Sequence, residues 1–548
     1  MPEGRTELWY KTAVFYGLDV ATFQDSNGDG IGDFSGLCDR LEYVAELGVT
    51  CIWLLPFFPT LDRDNGYDVM DYLSVDPRLG TLDDFIRFVR QAGERGIRVM
   101  IDLVMDHTSD RHPWFQAARR DRRSRYRRYY IWSDAPPPAE PGKQNIFPGE
   151  ESSVWTYDEI AGQYYYHQFY HFEPDLDVAH ADVRAEIKRV IDFWLSFGIS
   201  GFRVDAVSHM LESPHTSDDP SIAHDPHHIL REMRGFTSSR HADAALLGEA
   251  DVDPDQLRSF FGDGDEMHLL YNFFLNNFLF LAFASGTAEP LRRAFRLLPP
   301  IHESGQWITF LRNLDELDLE RLDENEREAV YHAFAPDADM KIFGRGIRRR
   351  LAPMLNDRRR LEAAFSLLFS LPGTPLIIYG DEIGMGEDLS LEGRNAVRTP
   401  MQWSRAPQAG FSTAIREALP APVIAEGAFG YRQVNVEDQA ADPESFLNWI
   451  KRLIRTRRQC PEWGTGIIRT FDTGEPSLFG HRCERQERRL LAVHNLADKT
   501  CSVLLDRETD TSLLPLLSSQ PHVREESPTL EVEPYGYRWY RVVPHCDL

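Results

Sequence analysis

Ile199-Ser-Gly-Phe-Arg-Val-Asp205 and Ala245-Leu-Leu-Gly-Glu249 are short apolar runs that each end on a carboxylate. A run of this length, bounded by turn residues, reads as a strand buried on both faces. Six more follow the same rule: Ala13 to Val20, Val49 to Leu55, Arg98 to Met105, Met267 to Phe273, Trp307 to Arg312 and Pro375 to Tyr379. Between them lie helical patterns such as Ser35 to Leu47, Leu82 to Arg95 and Val183 to Phe197. Eight strand-helix units predict an α/β fold in which a parallel sheet closes into a (β/α)8 barrel, with its active site at the C-terminal strand ends. Asp205 after the fourth strand, Glu249 after the fifth and Asp315 after the seventh stand at those ends. A barrel core needs no acids there, so three of them point to chemistry.

The spacing also predicts departures from the plain barrel. Residues 107–175 are too long for a strand-to-helix loop and carry the proline-rich APPPAEPG (Ala135 to Gly142), so they are expected to form a subdomain roofing the site. The barrel then occupies 1–106 and 176–464, with charged or polar insertions at about 316–354 and 382–445 that are expected to act as lids. From 465 to 548 short alternating runs (Leu478 to Arg482, Leu490 to Asn495, Cys501 to Leu505, Tyr537 to Val542) predict a C-terminal antiparallel β-domain.

The 548 residues hold 60 basic and 86 acidic side chains, a net charge of -26 that repels nucleic acid and anionic membrane surfaces and suits a small neutral substrate. The basic run Arg119 to Arg128 is accordingly read as a solvated helical face. Six scattered cysteines show neither metal nor redox spacing and fit a reduced, cytoplasmic chain. The N-terminus lacks the basic head and apolar stretch of a signal peptide, and Asn276 and Asn277 interrupt the apolar run Phe273 to Ala284, so no membrane span is expected. A homo-oligomer is left open.

Asp25-Ser-Asn27-Gly-Asp29-Gly-Ile31-Gly-Asp33 places oxygen ligands at alternate positions, with a backbone carbonyl at Ile31. This is the opening of a Ca²⁺ loop, without the glutamate expected at its twelfth position, where Gly36 stands. A structural Ca²⁺ is the cofactor expected, and no organic one.

Cleaving a glycosidic bond with retention requires a nucleophilic carboxylate and a second, protonated carboxyl group. Arg203 lies two residues before Asp205, on the same face of the strand, where its cation keeps that carboxylate ionised. Glu249 closes a run of small and apolar residues, where burial raises its pKa for acid duty.

DLVMDHTSD (Asp102 to Asp110), GFRVDAV (Gly201 to Val207), LLGEA (Leu246 to Ala250) and FLRNLDE (Phe310 to Glu316) resemble, in order and spacing, the motifs of the α-amylase superfamily, glycoside hydrolase family thirteen. The resemblance runs along nearly the whole chain. It implies Asp205 as nucleophile, Glu249 as acid/base, and Asp315 as the third carboxylate. It also implies substrate binding by Asp64 and Tyr67 of DNGYD, by His107, by Arg203, and by Arg398 of VRTPMQW at the blind end. A second Ca²⁺ site is implied at Asp106, Asp175 and Glu212 with the backbone of His209 and Met210. Within the superfamily, YGDEIGMGEDLSL, GIRRRLAPMLNDRRR and VRTPMQW resemble the trehalose synthases, which interconvert maltose and trehalose through a covalent glucosyl-enzyme. An exo-acting α-glucosidase or transglucosidase on short α-glucosides is the alternative, and a catalytically silent binding protein on this fold the remote one.

Three positions depart from the family. Leu314 stands where the family has a histidine that donates to the glucosyl 2- and 3-hydroxyls, Asp106 replaces an asparagine, and Glu173 to Asp177 reads EPDLD. Losing that donor leaves three readings: an altered sugar, a substitute such as His171, or a weak enzyme.

Overall fold

A computed structural model describes residues 8–135, 146–147, 149–212, 214, 222, 224–505, 511–520 and 529–544. Eight parallel strands close into a barrel in chain order: β1 Phe15–Leu18, β2 Cys51–Leu54, β3 Arg98–Leu103, β4 Gly201–Val204, β5 Ala245–Gly248, β6 Leu269–Tyr271, β7 Gln306–Phe310 and β8 Thr374–Ile378. Each expected strand is present: the fifth keeps its expected bounds, the seventh and eighth begin one residue earlier than expected, and the others are trimmed at one or both ends. The ring closes where Phe15 of β1 pairs with Leu376 of β8. Every residue of β1, β2, β4 and β5 is buried, as continuous apolar runs between helices require.

Local chemistry sets the ends of these elements. The helix Leu82–Glu94 begins on a capping box between Thr81 and Asp84 and buries Phe85, Phe88, Val89 and Ala92 on one face. The helix expected over Ser35 to Leu47 is instead two, Phe34–Asp39 and Leu41–Leu47, which break at Arg40. Gly201 opens β4 at φ +151°, and a Cβ there would lie 2.0 Å from the Ala245 carbonyl of β5, so no side chain fits where the two strands start together. The apolar run at Phe273 is a helix, Phe273–Ser285, buried on all sides. Its asparagines are tethers rather than breaks: Asn276 donates to the Phe310 carbonyl (2.7 Å) and Asn277 to that of Asp318 (2.8 Å), tying the helix to the chain leaving β7. Among the described residues no helix is long and apolar enough to cross a membrane.

Between β3 and β4 the chain leaves the barrel, makes the helix Pro113–Arg120 and a three-stranded antiparallel sheet (Trp132–Ser133, Gln163–Tyr166, Trp155–Asp158), and returns at the bridges His107 to Asp175 and Tyr130 to Leu176. APPPAEPG lies outside the described residues beyond Ala135. The basic run is not the free helical face expected. Arg119 pairs with Asp158 at 2.6 Å, and Arg127 stacks on Trp132 at 3.7 Å and donates to the Ala118 carbonyl. These two guanidinium groups hold the segment together while Arg120, Arg122, Arg123, Arg125 and Arg128 stay exposed.

After β7 the chain makes a small antiparallel sheet (Leu317–Asp318, Gly346–Ile347, Lys341–Ile342) around the helix Glu324–Phe334. The C-terminal residues form a five-stranded antiparallel sheet, in the order Ile467–Phe471, Leu478–Arg485, Arg488–Asn495, Tyr537–Pro544 and Thr511–Ser518, beside the pair Cys501–Leu504 and Thr529–Val532. Trp539 Nε1 donates to Ser366 Oγ (3.0 Å) and Trp449 Nε1 to Tyr537 OH (2.8 Å), docking that sheet on the barrel's outer helices. The cysteines among the described residues are free thiols, and Cys546 lies outside them.

Candidate active site

A cavity of about 630 Å³ opens at the C-terminal ends of the strands, and Asp205, Glu249 and Asp315 all line it. β4 and β5 are neighbours, with Val204 paired to Gly248, so the residues that follow them, Asp205 and Glu249, lie side by side. Asp315 arrives from the loop after β7. Ala206, next to Asp205, is held at φ +47° and its N–H donates to Glu249 Oε2 (3.3 Å), so a strained backbone at the end of β4 fixes the carboxyl at the end of β5.

Arg203 organises these acids. Its guanidinium is 2% exposed. It donates to Asp205 Oδ1, to Glu249 Oε2 at 2.5 Å, to Asp102 Oδ1 at 2.9 Å and to the Tyr67 hydroxyl at 3.3 Å. One cation thus serves three carboxylates. Burial raises the Glu249 carboxyl to about 7, and the negative charges of Asp205 and Asp315 add to this against the pull of Arg203. Burial likewise pushes Asp102 up to about 8 despite Arg203. Asp315 goes the other way: burial would raise it, but the guanidinium groups of Arg394 and Arg398 outweigh that and leave it below the ordinary carboxylate range. Carboxyl groups pushed in opposite directions within one cavity are the signature of an acid and an ionised partner working together.

The other expected residues divide. Asp64, Tyr67, His107 and Arg203 line the cavity. Burial raises Asp64 to about 6, partly offset by Arg394 and Arg398. His107 is buried, with Nδ1 at 3.4 Å from Asp106 and Nε2 at 4.0 Å from Glu173. Arg398 does not reach the cavity wall; it holds the loop from behind, with Nη2 at 2.6 Å from Asp315 and Nε donating to the Leu314 carbonyl at 2.9 Å. Leu314 is not a wall residue either. It is fully buried in the hydrophobic core at φ +76°, between Asn313 and Asp315, which do line the cavity. The backbone twist that turns Asp315 inward turns its neighbour's side chain away. His171 does not substitute for the missing histidine, because it lies off the wall, 58% exposed, with Nδ1 at 2.7 Å from Glu151.

Two residues escaped the sequence reading. Asp102 sits inside β3 and faces Arg203; an acid in the apolar run RVMIDL was the signal. Arg394, from the segment after β8, lines the cavity at 3.4 Å from Asp315, and nothing in its local sequence marks it. The insertions also meet over the cavity. The Phe147 and Phe343 rings lie 4.8 Å apart, and Arg345 Nη1 donates to the Ile146 carbonyl at 3.0 Å. At the mouth Asp251, Asp318 and Glu320 converge, with Arg321 and Arg345 among them.

On the expected Ca²⁺ loop, Asp25 accepts from the amides of Asn27 (3.0 Å), Gly28 (2.7 Å) and Gly30 (2.9 Å), Asn27 from that of Asp29 (2.8 Å), Asp29 from that of Ile31 (2.8 Å), and Asp33 from that of Gly36 (2.7 Å). At the second expected set, Asp106 and Asp175 are fully buried neighbours, Gln168 joins Asp175 to the His209 carbonyl, Met210 is buried on the same short helix, and Glu212 is exposed on the cavity side. Asp106 Oδ1 is buried without a hydrogen-bond partner.

Residues 20–465 match the family model of the alpha amylase catalytic domain. The chain belongs to the α-amylase family. Residues 488–541 match the sucrose hydrolase-like C-terminal domain. Over 98% of its length the chain is 39% identical to a trehalose synthase of a Pimelobacter species, covering 96% of that protein. It is equally 39% identical, over 98% of its length and 91% of the relative's, to the trehalose synthase/amylase TreS of Mycobacterium tuberculosis. The crystal structure of trehalulose synthase MutB from Pseudomonas mesoacidophila superimposes with a TM-score of 0.79 at 26% identity, covering 99% of this chain and 100% of that one.

Proposed function

We propose that this α-amylase family member is a retaining α-glucoside-processing enzyme that moves a glucosyl unit within a disaccharide, interconverting maltose and trehalose. The observation that carries the reading is the single guanidinium of Arg203 holding both Asp205 and Glu249 at the wall of one cavity. Carboxylates on neighbouring nitrogens of one guanidinium fit the roughly 5 Å spacing of a double displacement better than the roughly 6.5 to 9.5 Å of an inverting pair. Relatives described as trehalose synthases, matched end to end, support the substrate class.

Asp205 attacks the anomeric carbon while Glu249, protonated because burial raises it to about 7, gives its proton to the departing glycosidic oxygen. The C–O bond breaks, leaving a glucosyl ester on Asp205 and a free glucose. The now ionised Glu249 takes a proton from the anomeric hydroxyl of that glucose, whose oxygen displaces Asp205 and forms the new linkage. Asp315 stays ionised and accepts from ring hydroxyls, while Asp64, Tyr67 and His107 shape the closed end. Water at the same ester would give hydrolysis, so the Phe147–Phe343 contact over the cavity serves to retain glucose and exclude water.

The loop Asp25–Asp33 is proposed to hold a structural Ca²⁺. The fit rests on its hard oxygen donors, the side chains of Asp25, Asn27, Asp29 and Asp33 with the Ile31 carbonyl, of which Asp25 and Asp33 are buried. At the second set, the unpaired Asp106 Oδ1 supports a cation shared with Asp175, Glu212 and the carbonyls of His209 and Met210. Either ion would brace loops and supply no step.

Incubation with maltose, trehalose, sucrose and isomaltose, followed by chromatography, tests the function. Isomerisation exceeding glucose release supports it; glucose release alone identifies an α-glucosidase, and inertness towards all four defeats both.

A further inference from the structure

We infer that Arg394 is a substrate-contacting residue: its Nη1 donates to the glucosyl hydroxyls that Asp315 accepts from, the task left undone by Leu314. The assignment rests on the retaining reading above. Three observations carry it. First, the Leu314 side chain is fully buried and off the cavity wall, so it offers a sugar no donor. Second, two cations touch the Asp315 carboxylate, Arg398 at 2.6 Å and Arg394 at 3.4 Å, and of these only Arg394 lines the cavity. Third, the guanidinium is aimed. Glu316 takes Nε at 2.6 Å and Nη2 at 3.2 Å, which fixes the planar fork by one edge and leaves Nη1, with two N–H groups, towards Asp315 and the cavity.

Arg394 also lies between the two insertions that roof the site. Its guanidinium carbon is 5.3 Å from the Phe147 ring and 5.7 Å from that of Phe343. The donor therefore belongs to the closing surface: seating Phe147 and Phe343 against it removes water from the hydrogen bond that Nη1 gives to the sugar. A cationic donor in a drier site discriminates strongly against a substrate lacking the hydroxyl, because an Nη1 N–H is then left without its acceptor while Glu316 still balances the charge.

The test is a comparison of substrates, which separates contact with sugar from support of the fold. 4-Nitrophenyl α-glucoside and its 2-deoxy and 3-deoxy analogues are assayed with wild type, Arg394→Ala and Arg394→Lys. On the parent glucoside Arg394→Ala should lose roughly a hundredfold in kcat/KM, the usual cost of one transition-state donor. On the analogue that lacks the contacted hydroxyl, wild type and variant should become nearly equal. Arg394→Lys keeps a charge beside Glu316, so it carries the same comparison should Arg394→Ala fold poorly; its loss should be smaller and follow the same substrate pattern. An equal loss on all three substrates in a variant that keeps the wild-type fold by thermal melting overturns the assignment and leaves the retaining reading standing. Wild type inert on the parent glucoside overturns both.

Discussion

Replacing Arg203 with methionine tests the electrostatic logic of the whole site. The substitution leaves Asp102, Asp205 and Glu249 without the cation they share. Asp102 is 1% exposed and keeps one weak contact, from Trp53 Nε1 at 3.3 Å. Removing one partner of a buried ion pair costs about 3 to 5 kcal/mol. Burial has already pushed Asp102 up to about 8, so near neutral pH it holds a proton rather than a bare charge, which favours the lower end, about 3 kcal/mol. The melting temperature should fall by a few degrees. Activity should fall by about a hundred- to a thousandfold, as for loss of a preorganised electrostatic partner.

The sharper readout is pH. Glu249 must be protonated to act as an acid, so kcat/KM in the wild type declines as pH rises through about 7. Burial raises that pKa and Arg203 opposes the rise; without Arg203 the decline should begin at higher pH, even as the rate drops. Stability has its own sign. Glu249 and Asp102 are both raised by folding, so each detracts from stability as pH climbs from unfolded values near 4 through about 7 and about 8. Rate profiles with 4-nitrophenyl α-glucoside, recorded beside thermal melts, measure both effects. An alkaline limb that stays in place or moves to lower pH in Arg203→Met refutes the assignment of Arg203 as the cation that tunes Glu249.

Three further outcomes follow from the geometry. Glu249→Ala should lose several orders of magnitude on maltose yet keep most of its glucosylation rate on an aryl glucoside whose leaving group needs no proton, measured as a pre-steady-state burst; equal losses on both would remove Glu249 from acid duty. Phe343→Ala deletes a ring 4.8 Å from Phe147 and opens the roof, so the ratio of released glucose to isomerised product should rise, by chromatography, with little change in the melting temperature. Chelation should lower the melting temperature, with recovery on adding Ca²⁺ but not Mg²⁺, and Asp25→Ala should abolish that difference.

Much of the site was legible because it is built at strand ends. A carboxylate that follows an apolar run by one residue has little freedom in where it points, so Asp205 and Glu249 converge once β4 and β5 pair. Arg203 was readable by the alternation of side chains along β4. Asp315 was legible as an acid after β7, but not the left-handed backbone at Leu314 that turns it inward and sends its neighbour into the core. The substitution of Leu for His therefore looked like a lost donor at the wall, whereas the wall there is made by Asn313 and Asp315. The basic run misled for a related reason: helical spacing gave a face, but Asp158 and Trp132, distant in the chain, decide which arginines are free.

Hydrophobic period and acids at strand ends are local, and by themselves they determined the barrel, its inserted segments and the acids that face its cavity; the family was legible through the resemblance of four short motifs. Tertiary structure alone decided that one guanidinium serves three carboxylates, that Arg394 rather than Leu314 lines the cavity, and that Phe147 meets Phe343. The physical reason is range: strand pleat and helix turn act over a few residues, whereas charge pairing in a buried cavity and the meeting of two insertions depend on groups brought together only when the barrel closes.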